Sequence, residues 1–247
     1  MGIVSKTDQF ISNLIKTSEN EALSPKEVFN EITNKMSWHE ASQKVYKFFL
    51  EKYFKPVPPK APDLVKQLKG LFPGKIYTFI YDPKYRDILE YFDERPIMLS
   101  IKNDPINLGI NFNFIPLEIK ILMIDKLWDK FSDIIKYNQT KINKKQVMQQ
   151  KPLFFESYDY MKLLDLIWEY TQKTAYRFAI RRYLYDRITM PKEIAYSDWG
   201  LIPFINSKDI VGLELSEIYR LYWAYKLQSD KEGYGRKPRK SNKPKLR

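Results

Sequence analysis

The sequence predicts an α+β fold, on three observations. Apolar residues recur at helical spacing within residues 7–54 and again from Pro116 onward. Between these stretches, residues 75–115 change to the two-residue period of strands. A proline-dense stretch, Lys55 to Pro62, places four prolines in eight residues and predicts an extended, polyproline-like linker. The expected organisation is a helical arm over 1–54, a linker over 55–62, an α+β core domain over 63–228 and a basic extension over 229–247. The core is expected to hold a small antiparallel β-sheet or half-open barrel, followed by packed C-terminal helices.

Each element has a local reason. Ser24-Pro25-Lys26-Glu27 is a helix start: Ser caps, Pro takes the first helical position and Glu27 completes a capping box. Ser37-Trp38-His39-Glu40 repeats the pattern, and Val45, Phe48, Phe49 and Tyr53 then make one apolar stripe. Ile76 to Tyr81 is rich in β-branched and aromatic residues and reads as a strand ended by Asp82-Pro83. Pro96 to Ile101 is a second strand, and Asn103-Asp104-Pro105 a turn. Ile106, Leu108, Ile110, Phe112 and Phe114 alternate with Asn107, Gly109, Asn111 and Asn113, the clearest strand signal in the chain. Its asparagine face reads as solvent-exposed or as pairing with another chain. Pro116 opens a helix to about Ile135 with Leu117, Ile121, Ile124, Trp128 and Phe131 inward. Residues 136–152 are polar and read as a loop. Ser157 to about Tyr185 reads as the longest helix, broken by Met190-Pro191, and Ser216 to Gln228 as the last.

Composition excludes several chemistries. The chain has 247 residues, no cysteine and one histidine, His39. Disulfides, thiolate metal sites and a cysteine nucleophile are absent, and a Ser-His-Asp machine is disfavoured. Eight glycines argue against glycine-rich phosphate loops. No cofactor and no metal are expected. The first residues lack the apolar run of a secretory signal, and no stretch approaches 18 apolar residues, so no membrane partner is expected.

The net charge is +12, which favours an anionic partner, most often nucleic acid. From Lys231 to Arg247 there are eight basic residues and one acid, Glu232, so this segment holds +7 of that charge. Arg236, Lys237, Arg239, Lys240, Lys243, Lys245 and Arg247 are its candidate phosphate contacts, since cations on an extended strand displace counterions from phosphates. An arm docked on an acidic protein surface and a solvated tail are the other readings. Arg177, Arg181, Arg182 and Arg187 form a second basic group among tyrosines. On a helix Arg177 and Arg181 share one face, and the tyrosines could stack on bases. The alternative is a structural helix whose arginines pair with Asp186 and Glu169.

A nuclease is the natural enzyme class for a basic protein. Asp104 followed by Glu118-Ile119-Lys120 has the outline of an acid and a Glu-x-Lys pair around Mg²⁺. However, Asp104 falls in a turn, and Glu118 in a first helical turn, where the helix dipole accounts for it. No catalytic residue is therefore assigned, and His39 reads as a lone surface histidine.

Pro73-Gly74-Lys75-Ile76-Tyr77 through Asp82-Pro83-Lys84, Tyr91-Phe92-Asp93-Glu94-Arg95-Pro96 and Leu108-Gly109-Ile110-Asn111 through Ile115-Pro116 form a pattern of motifs. Together with Ile180-Arg181-Arg182-Tyr183-Leu184-Tyr185, Ser197-Asp198-Trp199 and Pro203-Phe204, it resembles a T4-type tailed-phage virion protein family, some of whose members are DNA end protector proteins. The resemblance covers about residues 73–206 and leaves the N-terminal helices, the linker and the tail outside. Asn113 and Phe114 stand where the pattern has His and Tyr, and Ile180 also departs from it. The pattern carries no catalytic group. It implies a non-enzymatic structural protein, assembled in the host cytoplasm into a multi-subunit virion. It would bind the packaged DNA end or sit at the neck or tail, touching other virion proteins and duplex DNA. A protein-bridging tail or baseplate subunit without DNA contact is the alternative, and a packaging-associated nuclease the second.

Overall fold

The computed structural model describes residues 10, 11, 13, 14, 23–55, 71, 73–102, 107–129, 176–205 and 210–222. They form an α+β fold, as the sequence predicts. Helix α1 (Pro25–Lys35) starts at the expected capping box, with Glu27 N–H donating to Ser24 Oγ at 3.2 Å and Ser24 N–H donating to Glu27 Oε2 at 2.7 Å. Helix α2 (Trp38–Phe49) is capped by Ser37 and runs into one π turn, Leu50–Phe54. Strands β1 (Ile76–Tyr81), β2 (Tyr91–Asp93), β3 (Ile97–Lys102) and β4 (Asn107–Asn111) follow. After them come helix α3 (117–129), β5 (Ile180–Tyr183), β6 (Ile188–Glu193), a 3₁₀ segment (Tyr196–Phe204), β7 (Ile210–Gly212) and helix α4 (215–222).

Five strands form an antiparallel sheet in the order β5-β4-β3-β1-β6, and β2 pairs with β7 in a separate two-stranded ribbon. The larger sheet is not closed into a barrel, because its edges β5 and β6 do not pair. It is nonetheless strongly curled. Four strand intervals would set its edges about 19 Å apart if flat. The five Cα steps from Tyr183 to Ile188 reach at most about 18 Å fully extended, and they include a 3₁₀ turn, Tyr185–Arg187. Across the curl, the Tyr183 ring on β5 meets those of Tyr81 and Phe79 on β1 at 4.9 and 5.1 Å. Leu71, Tyr77, Phe79, Met98 and Tyr183 fill this side of the sheet.

The main core lies on the other side. Ile76, Ile97, Leu99 and Ile110 from the sheet join Val28, Ile32, Val45 and Phe49 from α1 and α2, and Ile124 and Leu127 from α3. The inner face of α3 is Lys120, Met123, Ile124, Leu127 and Trp128, rotated from the expected stripe, since Leu117 and Ile121 are only half-buried. The 3₁₀ segment is buried from Ser197 to Phe204 and packs against α1 and α2. Gly200 permits the approach of α1, because a β-carbon there would lie 2.6 Å from Val28 Cβ and 2.7 Å from the Pro25 carbonyl oxygen.

Three expectations need correction. The strand expected over 106–114 stops at Asn111 and tightens into a 3₁₀ turn, Phe112–Phe114, held by Asn113 N–H donating to Asn111 Oδ1 at 2.9 Å. Its asparagines are not a solvent face: Asn107 and Asn111 are fully buried and Asn113 nearly so. The helix expected to reach Tyr185 is not one at its described end. Residues 176–179 make a 3₁₀ turn and 180–183 a strand, while 157–175 lie outside the described residues. Met190-Pro191 breaks no helix. Met190, at φ 53°, and Pro191 form a bulge in β6, where Thr78 and Ile80 of β1 face Lys192 and Thr189. An edge-strand bulge is a place that tolerates proline's missing N–H. Residues 56–70, with most of the proline-rich stretch, and 130–152 also lie outside the described residues.

Gly109 on β4 carries a consequence for stability. A β-carbon there would fall inside the van der Waals envelope of Met98 Cγ and the Leu99 carbonyl. Gly109→Ala is expected to cost about 1–3 kcal/mol, read as a lower midpoint in urea with an unchanged slope.

Candidate nucleic-acid interface

The second basic group is split by its backbone. Arg181 and Arg182 are neighbours on strand β5 and project to opposite sides. Arg181 is half-buried, its guanidinium 4.7 Å from the Tyr91 ring centre and 4.9 Å from that of Phe114. There it is a structural cation on aromatic faces. Arg187 pairs with Asp186 at 3.6 Å and Asp82 at 4.0 Å, in line with the structural alternative. Arg182 is exposed. Arg177 lies in the 3₁₀ turn, so it and Arg181 share no helix face. Glu169 and the tail residues Arg236, Lys237, Arg239, Lys240, Lys243, Lys245 and Arg247 lie outside the described residues.

Charge is distributed unevenly between these parts. The described residues carry 19 Lys and Arg against 17 Asp and Glu, so most of the chain's net +12 resides elsewhere. Several cations of the described residues are committed to acids. Lys52 binds the buried Asp198 carboxylate at 2.7 Å, Lys75 pairs with Glu193 at 2.7 Å and Arg86 with Glu94 at 3.0 Å.

Two buried carboxylates organise the fold; both fall in the sequence pattern, which gives neither a role. Asp93, at the end of β2, accepts from Asn111 Nδ2 at 2.7 Å, Asn113 Nδ2 at 2.8 Å and Arg95 N–H at 3.0 Å. It joins the β2–β3 turn to the 3₁₀ turn after β4. Asp198, with no exposure, accepts from Lys52 Nζ, from the Tyr53 hydroxyl and from Ser197 Oγ. It ties the π turn after α2 to the 3₁₀ segment. Trp199 beside it donates Nε1–H to the Ile194 carbonyl at 3.3 Å. The Asp93, Asn111 and Asp198-Trp199 positions of the sequence pattern are therefore structural latches.

Glu118 and Lys120 do not converge. Glu118 is exposed, whereas Lys120 is buried, with Nζ 3.5 Å from the Ile205 carbonyl oxygen. The Glu-x-Lys outline thus points its two groups into different surroundings, and Asp104 lies outside the described residues. His39 is exposed on α2 with Nε2 2.8 Å from Gln43 Nε2. Among the described residues no cluster of acids and histidine has a metal-holding arrangement, and no helix is long and apolar enough to cross a membrane.

Burial lowers the Lys120 ammonium from 10.5 to about 8, with the Asp93 charge pulling the other way. Between about pH 8 and pH 10 the unfolded chain holds a proton at this site that the folded chain has shed, so stability rises with pH across that window. The gain is expected to be on the order of 3 kcal/mol. Above it the trend reverses, because burial holds the Tyr183 and Tyr196 hydroxyls above their ordinary 10.0. Urea midpoints measured from pH 7 to 11 check this, and Lys120→Met is expected to flatten the rise.

A family model described as the phage T4 terminal DNA protecting protein matches residues 12–154, more than half of the chain. The chain belongs to this phage terminal DNA protecting family. No match to a curated protein or to a solved structure was found. The family match corrects the extent of the sequence resemblance. It takes in α1, α2 and the proline-rich stretch, which the resemblance left outside, and it ends before β5, the 3₁₀ segment and the basic tail. The Asp93–Asn111 latch lies inside the matched residues.

Proposed function

We propose that the chain is a non-enzymatic component of a phage particle that binds and shields the ends of the packaged duplex DNA. The observation that carries this reading is the family match, to a protein described as protecting terminal DNA. Charge supports it. The chain holds a net +12, of which +7 lies in the last 17 residues. The first 230 residues share the remaining +5, so the basic tail is the densest positive segment and the principal phosphate contact, with Arg182 the exposed basic residue of β5. Lys and Arg on phosphates position a protein without reading bases, as end protection on any genome sequence requires. A place near the genome end, at the neck or tail, follows from that role.

Exonuclease digestion of end-labelled linear duplex tests the reading. The full chain is expected to slow release of the label in proportion to its occupancy. Unchanged digestion at concentrations that saturate binding contradicts it.

A further inference from the structure

At one end of the curled sheet the surface is apolar. The β1–β2 loop leaves Ile88 78%, Tyr85 58% and Leu89 44% exposed, and the β5–β6 connection adds Tyr185 at 37% and Leu184 at 36%. The two loops share this end: Asp82 N–H donates to the Arg187 carbonyl at 3.2 Å, and Tyr81 pairs with Ile188. The longer loop is preformed by turns, Arg86 N–H to the Pro83 carbonyl at 3.2 Å and Ile88 N–H to the Tyr85 carbonyl at 3.1 Å. Contiguous exposed apolar groups on a fixed loop mark an interaction surface.

The charges around it select the partner. Arg86 is held by Glu94 and Asp82, and Arg187 by Asp82 and Asp186. Lys84 lies on the Tyr85 ring at 5.4 Å. Asp87 and Glu90 are exposed beside them. The rim therefore offers no excess of positive charge to a phosphate backbone. A two-fold contact with a second copy would turn Asp87 and Glu90 toward acidic neighbours.

From this we infer that the Tyr85–Leu89 and Leu184–Tyr185 end docks on another protein of the particle, into an apolar pocket with a basic rim. The folded body thereby anchors the chain, while the tail engages DNA. The inference rests on the reading of the chain as a particle component and adds a second surface to it.

The test is Ile88→Asp, at a side chain exposed enough to leave folding intact, introduced in place of the wild-type chain during particle assembly. Three quantities are measured: chain per purified particle, binding of purified chain to linear duplex, and solution mass. The expected result is a fall of about tenfold or more in particle content, as for loss of an interface hot spot, with duplex binding and mass unchanged. Unchanged particle content overturns the inference. Weakened duplex binding overturns it in favour of a DNA contact, and a wild-type oligomer dissociated by the substitution overturns it in favour of a second copy. Absence of the wild-type chain from particles overturns the particle reading itself, and this inference with it.

Discussion

Removing residues 231–247 is expected to abolish most of the chain's affinity for duplex DNA at physiological salt while leaving the body folded. The segment carries eight of the 42 Lys and Arg residues and a net +7. Each neutralised phosphate contributes about −0.9 to the slope of log affinity against log salt. If the tail's cations all engage, the full chain's slope is steeper than that of a 1–230 truncation by roughly 6 to 7. Between 50 and 200 mM salt, a term of that size changes affinity by about 10⁴-fold. The first 230 residues hold only +5, spread over a far longer stretch, and among the described residues Arg181 and Arg187 are occupied by rings and carboxylates. Titration of a fluorescent duplex across a salt series checks both slopes. Equal slopes would move the DNA contact to some other part of the chain.

Asp93→Ala is expected to be the most damaging single change to the fold. It removes the acceptor for two buried asparagine amides and one half-buried backbone N–H. It also removes the negative charge that faces the buried Lys120 ammonium. Breaking a buried ionic network by deleting one partner costs about 3–5 kcal/mol, a large part of the 5–15 kcal/mol that typically holds a domain together. Its signature in urea is a much lower midpoint, and Lys120→Met in the same background recovers part of the loss by removing the stranded cation. A midpoint within about 1 kcal/mol of wild type would show that the latch is dispensable.

The sequence was legible where structure is decided locally. Ser24 and Ser37 cap the helices they precede, because the capping geometry depends on residues three apart. Ile76–Tyr81 is a strand at both expected ends, and the strand expected from Pro96 is displaced by one residue. Legibility failed where distant segments decide. Asn111 and Asn113 look like a solvent face until Asp93 arrives from another strand to receive their amides. Phe112 and Phe114 continue an alternating pattern, yet the Asn111 side chain turns the backbone at that point. Ile180–Tyr183 reads as the end of a long helix from Ser157 but becomes a strand because β4 offers Asn107–Ile110 as a partner. The basic tail was legible as charge, since electrostatic attraction needs no fold. The Asp198 latch was not, since Lys52 and Tyr53 lie nearly 150 residues away from it.

The central claim is that this chain recognises DNA ends, not DNA in general. Competition between a linear duplex and a covalently closed circle of the same sequence and length tests it most directly. The account predicts that the linear form displaces bound labelled ends far more effectively per base pair, and that the advantage disappears when both ends are closed by hairpins. Equal competition by linear and circular DNA would contradict end recognition and leave only the non-specific attraction of a basic tail.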